Sequence, residues 1–125
     1  MRKLLRAATL VIGIGFLLQG AMWLAVPARS AAGLGMPLLD GLGRSTQVGD
    51  FAAFFAVAGA MMVIGTRPGR GLLLYGAAGL LGAAAIGRTI AWAAQGADFA
   101  AAFIVVEASV AAILVATARA ERVVP

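Results

Sequence analysis

Four apolar stretches, each long enough to cross a bilayer, leave this chain few folds to choose from. They cover residues 4–26, 48–64, 71–94 and 99–118. Each holds roughly 17–24 residues, which at about 1.5 Å per residue spans a hydrocarbon core of about 30 Å as a helix. Only 12% of the 125 residues are charged and 62% are hydrophobic, whereas a soluble domain carries about 25% charge. One domain of this length cannot hide so much apolar surface inside itself, so the excess faces lipid. The sequence therefore predicts a single transmembrane domain over 1–125, an all-α, antiparallel bundle of four helices.

The breaks between the stretches have local causes. Thr66–Arg70 carries Pro68 and Gly69, and Gln95–Asp98 carries Gly96 followed by Asp98, a candidate N-cap. The linker from Pro27 to Thr46 is longer and rich in Gly and Pro, with room for a short interfacial helix around Met36–Leu42.

Lys and Arg set the direction. Arg2, Lys3, Arg6, Arg67, Arg70, Arg119 and Arg122 fall on one side of the expected membrane, and only Arg29 and Arg44 on the other. Basic residues favour the cytoplasmic side, so both termini are expected in the cytoplasm of a bacterial inner membrane. The same placement makes the net charge of +5 a topology signal and not a nucleic-acid footprint. MRKLLR, an apolar run and AVPARSA also resemble a secretory leader cut after Ala28. That run is long for a leader core and contains Gln19 and Trp23, so it reads as a retained helix.

The absence of Cys and His removes disulfides, thiolate chemistry, imidazole proton shuttles and the commonest zinc and haem ligands. No cofactor is implied. Two isolated carboxylates on separate helices make a thin metal-ligand set. Catalysis would rest on Asp50, Glu107, Arg88 and Tyr75, and Tyr75 lies toward the opposite end of the membrane. The chain thus reads as a binding or accessory protein before it reads as an enzyme.

Three ionisable residues lie within the spans: Asp50, Arg88 and Glu107. Each costs a few kcal/mol in lipid and should turn inward to a partner. Counted from the outer helix ends, Arg88 and Glu107 sit at matching depth, about 9 and 12 Å, on consecutive helices. An ion pair between them is the contact the sequence predicts most directly. Gln19 and Trp23 share a face of the first span, Arg88, Trp92 and Gln95 one of the third, and Gln47 lies nearly a turn above Asp50. Arg44 is the cation nearest Asp50 in sequence. Gln19, Trp23, Asp50, Arg88, Trp92 and Glu107 all fall in the outer half, which predicts a polar pocket there. The pair read alone is equally an architectural lock on helix register, with the tryptophans as interfacial anchors; both readings stand at this level. Ala52, Ala56 and Ala60, then Gly79, Ala83, Gly87 and Ala91, then Ala108, Ala112 and Ala116 form small-residue ladders of the kind that mark helix contacts.

The order VPARSAAGLGMP, then Gly43–Arg44 before the second span, Gly87–Arg88 in the third and Glu107 in the fourth resembles a family of small bacterial four-helix membrane proteins of unknown function. That family is similar in layout to the DoxX-like proteins. The resemblance spans nearly the whole chain, and it implies a four-helix membrane fold and weight on Arg44, Arg88 and Glu107. It implies no activity. Where the family opens the second span with two glycines, this chain has Gly49–Asp50. The functions to weigh are a bundle holding a lipid-like or quinone-like molecule or docking on a larger membrane complex, and an oligomeric transporter using the buried carboxylates. Against the second, small multidrug exporters carry their essential Glu in the first helix, whereas here Glu107 lies in the fourth with Arg88 at its depth. Membrane lipids and a second copy of the chain are the expected neighbours.

Overall fold

A computed structural model describes residues 1–122; residues 123–125 of the expected domain lie outside it. All regular secondary structure among the described residues is helical: α1 (Arg2–Ala25), α2 (Pro27–Gly33), α3 (Gly41–Gly65), α4 (Leu72–Gln95) and α5 (Ala101–Arg122). α1, α3, α4 and α5 are each long and apolar enough to cross a membrane.

The chain leaves each helix for reasons visible in its residues. Val26 precedes Pro27, whose ring disfavours the helical region for the residue before it. Val26 adopts φ −138 and ψ 60, α1 ends there, and Pro27 opens α2. α4 stops at Gly96, which takes the left-handed conformation (φ 69). The amide of Ala97 then returns to the carbonyl of Ala91, satisfying a terminal acceptor. Asp98 lies in the non-helical stretch after it, and α5 begins only at Ala101.

Two expectations about the linker are corrected. The short helix lies at Pro27–Gly33, not at Met36–Leu42, and α3 starts at Gly41, before the apolar run begins. Gln47 explains the second point. It is buried, its amide donates to the carbonyl of Pro37 (3.0 Å), and its Oε1 accepts from the amide of Leu39 (2.9 Å). The connector is thereby clasped to the first turns of α3. Arg44 pairs with Asp40 (2.9 Å) and donates to the carbonyl of Leu39 (2.7 Å), so it does not serve Asp50.

The helices associate as two intimate pairs, α1 with α3 and α4 with α5, joined along α3–α4 and α1–α5. Between α1 and α3 the backbones touch. A methyl group added at Gly59 would lie 2.7 Å from the carbonyl oxygen of Gly13, and one at Gly20 would lie 2.9 Å from the amide nitrogen of Ala56. Ala52 and Ala56 thus do mark a contact face. The other ladders do not: Gly79, Ala83 and Gly87 on α4 and Ala108 and Ala112 on α5 are exposed, while Leu74, Ala77, Ala78, Leu81 and Ala85 turn inward. Where the two pairs meet, Met62, Leu74, Leu81 and Leu114 form the main core. The Thr9 and Thr117 hydroxyls bond across α1 and α5 at 2.9 Å. That link lies near the helix ends that carry the termini, an end the sequence reads as almost wholly apolar.

Candidate functional site

At the opposite end the two pairs part around a cavity of about 320 Å³. Its wall is assembled from all four long helices. α1 contributes Phe16 and Gln19; α3 contributes Phe51, Phe54 and Phe55; α4 contributes Ala84 and Arg88; α5 contributes Phe103 and Glu107, and Leu34 closes it from beyond α2. Five of the chain's six phenylalanines therefore surround one space. The rings brace each other, with Phe16 and Phe55 centred 5.3 Å apart and Phe54 edge-on to Phe55 at 5.2 Å.

One charged pair interrupts this aromatic lining. The Nε–H of Arg88 donates to both oxygens of Glu107, at 2.9 and 3.1 Å. Observed helix ends place Arg88 about 10 Å and Glu107 about 9 Å from the nearer terminus of its helix. Glu107 is buried, and the Arg88 guanidinium lies over the Phe103 ring, 4.7 Å from its centre. The ring face is electron-rich and offsets part of the cost of holding the cation away from water. The contact with Glu107 runs through Nε alone. Neither terminal nitrogen of Arg88 has a hydrogen-bond acceptor among the described residues, and Gln19 likewise has no partner among them.

The six residues singled out from sequence separate on this scaffold. Gln19, Arg88 and Glu107 line the cavity together. Trp23 is fully buried behind the wall, stacked on Phe51 at 4.8 Å, and it is no interfacial anchor; its indole N–H has no partner among the described residues. Trp92 is half exposed and rests against Phe99, and Asp50 is exposed on α3. Neither reaches the cavity.

Sequence reasoning passed over the phenylalanines. Phe51, Phe54 and Phe55 fall at i, i+3 and i+4, on one face of α3, and Phe103 precedes Glu107 by one turn. That periodicity was the available signal, masked because any face of a membrane helix can be apolar.

Compared with known proteins, the chain matches no family model, no curated protein and no solved structure.

Proposed function

We propose that this chain is a small inner-membrane binding protein that holds an amphiphilic molecule, lipid-like or quinone-like, in the phenylalanine-lined cavity. The observation that carries the reading is a roomy apolar cavity whose wall exposes the Arg88–Glu107 pair and the Gln19 amide, which has no partner among the described residues. Ligand sites have this composition: a largely apolar lining with a few polar groups that orient the guest. A pair serving only as a helix lock is better kept sealed in packed side chains than set on the wall of a void.

In the membrane the four helices form an antiparallel bundle with both termini cytoplasmic, on the strength of the arginine and lysine distribution. The cavity then lies in the outer half. Kinship with the DoxX-like proteins is proposed on Gly43–Arg44, Gly87–Arg88 and Glu107, and it carries no activity. The outward faces of α4 and α5, with Gly79, Ala83, Ala108 and Ala112, are where lipids, a second copy or a larger membrane complex would pack.

The test is mass spectrometry of the protein purified gently from membranes, beside an Ala84→Phe variant that fills the cavity. A small molecule retained by the wild type and missing from the variant supports the reading. Equal retention by both, or no retained molecule together with failure of added amphiphiles to bind, overturns it.

A further inference from the structure

The charge balance of the cavity wall points to the chemical class of the guest. We infer that the head of the bound amphiphile is a neutral hydrogen-bond acceptor, a carbonyl group, and not a carboxylate or phosphate. This rests on the cavity being the binding site.

Three features of the wall lead there. First, the open valences are mostly donors: the Gln19 carbonyl oxygen is the one open amide acceptor on the wall among the described residues. A guanidinium carries five N–H groups, and Glu107 takes only the one on Nε. The terminal N–H groups have no acceptor among the described residues, on a residue that lines the cavity. The Gln19 amide adds two more donors. Donors left unmet in an apolar setting cost free energy that an acceptor on the guest recovers.

Second, the positive charge is already balanced. Glu107 stands against Arg88 at hydrogen-bond distance, so the pair is neutral as a unit. No other basic residue among the described residues lines the cavity. An anionic head would set a second negative charge beside the Glu107 carboxylate, in surroundings where water screens little and the repulsion is large. A carbonyl oxygen accepts the same N–H groups without adding charge.

Third, everything else on the wall is apolar, and most of it aromatic. A chain or a flat ring attached to the carbonyl finds matching surface there. A neutral ester and a ring-borne ketone share this chemistry, and the probes below separate them.

The experiment uses the full chain in a neutral maltoside detergent, titrated by native mass spectrometry above neutral pH. The probes share a ten-carbon tail: methyl decanoate, a decyl-substituted benzoquinone, decanoate, and decane. The expected result is that at least one carbonyl probe binds about tenfold or more tighter than decanoate and than decane. Which of the two wins tells ester from ring. Glu107→Gln leaves Arg88 an unbalanced cation, and decanoate should gain about tenfold there. Ala84→Phe should abolish binding of every probe. Decanoate binding as tightly as the carbonyl probes to the wild type, with loss in Ala84→Phe, would overturn the neutral head while leaving the cavity as the site. Decane binding equally well would remove Arg88 from recognition. If no probe binds, or binding ignores Ala84→Phe, the cavity itself is refuted as the site. The wild-type comparison decides the matter even where the Glu107 variant fails to fold.

Discussion

The two ends of this bundle solve the same packing problem in opposite ways. At the end that carries the termini, Met62, Leu74 and Leu114 fill the centre and Thr9 ties α1 to Thr117 of α5, while the α1–α3 seam, tight at Gly13–Gly59 and again at Gly20–Ala56, continues to the level of the cavity. At the other end, bulky rings hold the helix pairs apart, and the only ion pair between membrane-spanning segments among the described residues faces the resulting space. Hydrophobicity does not separate the two, since both ends are apolar. Side-chain size does. Membrane helices gain little from leaving lipid, so they adhere where small residues permit close approach and stand off where rings prevent it. The tight end holds the fold together, and the aromatic end is free to hold something else.

This contrast is open to direct attack. The largest effect should come from unbalancing the charge at the cavity. Arg88→Gln or Glu107→Gln alone should cost about 3–5 kcal/mol in detergent unfolding, because each strands a charge or its donors, and the double change should recover much of the loss. Additive losses would mean that the two residues do not act as a pair. Next, Gly59→Val forces a side chain into backbone contacts of 2.7 Å. It should cost about 3 kcal/mol, measured by thermal unfolding, whereas the same change at the exposed Gly79 should be nearly silent. Equal losses at both positions would erase the distinction between the α1–α3 seam and the outward face of α4.

A smaller effect is expected from Thr117→Val, which keeps the shape and removes the cross-helix hydroxyl. Stability should fall by about 1 kcal/mol, with ligand retention untouched. Ala84→Phe should show the reverse pattern: a loss within about 1 kcal/mol, since it fills a void, but an empty protein by mass spectrometry. Last, Asp50→Asn and Trp92→Phe should change stability by less than about 0.5 kcal/mol and leave retention as it was. Lost retention in either would bring back the wider polar cluster expected from sequence.

Some of this was legible in the residues alone. Arg88 and Glu107 could be paired from helix depth, because both sit on short-linked neighbours and neither can remain alone in lipid. Gly96 marked the end of α4 because its left-handed conformation favours glycine. The start of α3 was misplaced for an equally physical reason. Arg44, Ser45, Thr46 and Gln47 look like loop on a hydropathy scale, yet polar residues are welcome in a helix that extends past the membrane core, and Gln47 binds the connector there. The ladders on α4 and α5 misled because spacing shows that a face is smooth, not which way it turns.

Residue chemistry alone was enough for four membrane-length helices, for the breaks at Pro27 and Gly96, and for the two charges that must meet. Those properties follow from hydropathy, from proline and glycine, and from the cost of charge in lipid, all of which act locally or through depth. How each helix is rotated came from packing across the bundle. That packing buried Trp23 and exposed Trp92, turned Asp50 outward, and gathered five phenylalanines from three helices around Arg88. In water an apolar stripe would have announced those rotations. In a membrane every face can be apolar, so rotation is set by the fit of side chains across helices, which only the packed bundle contains.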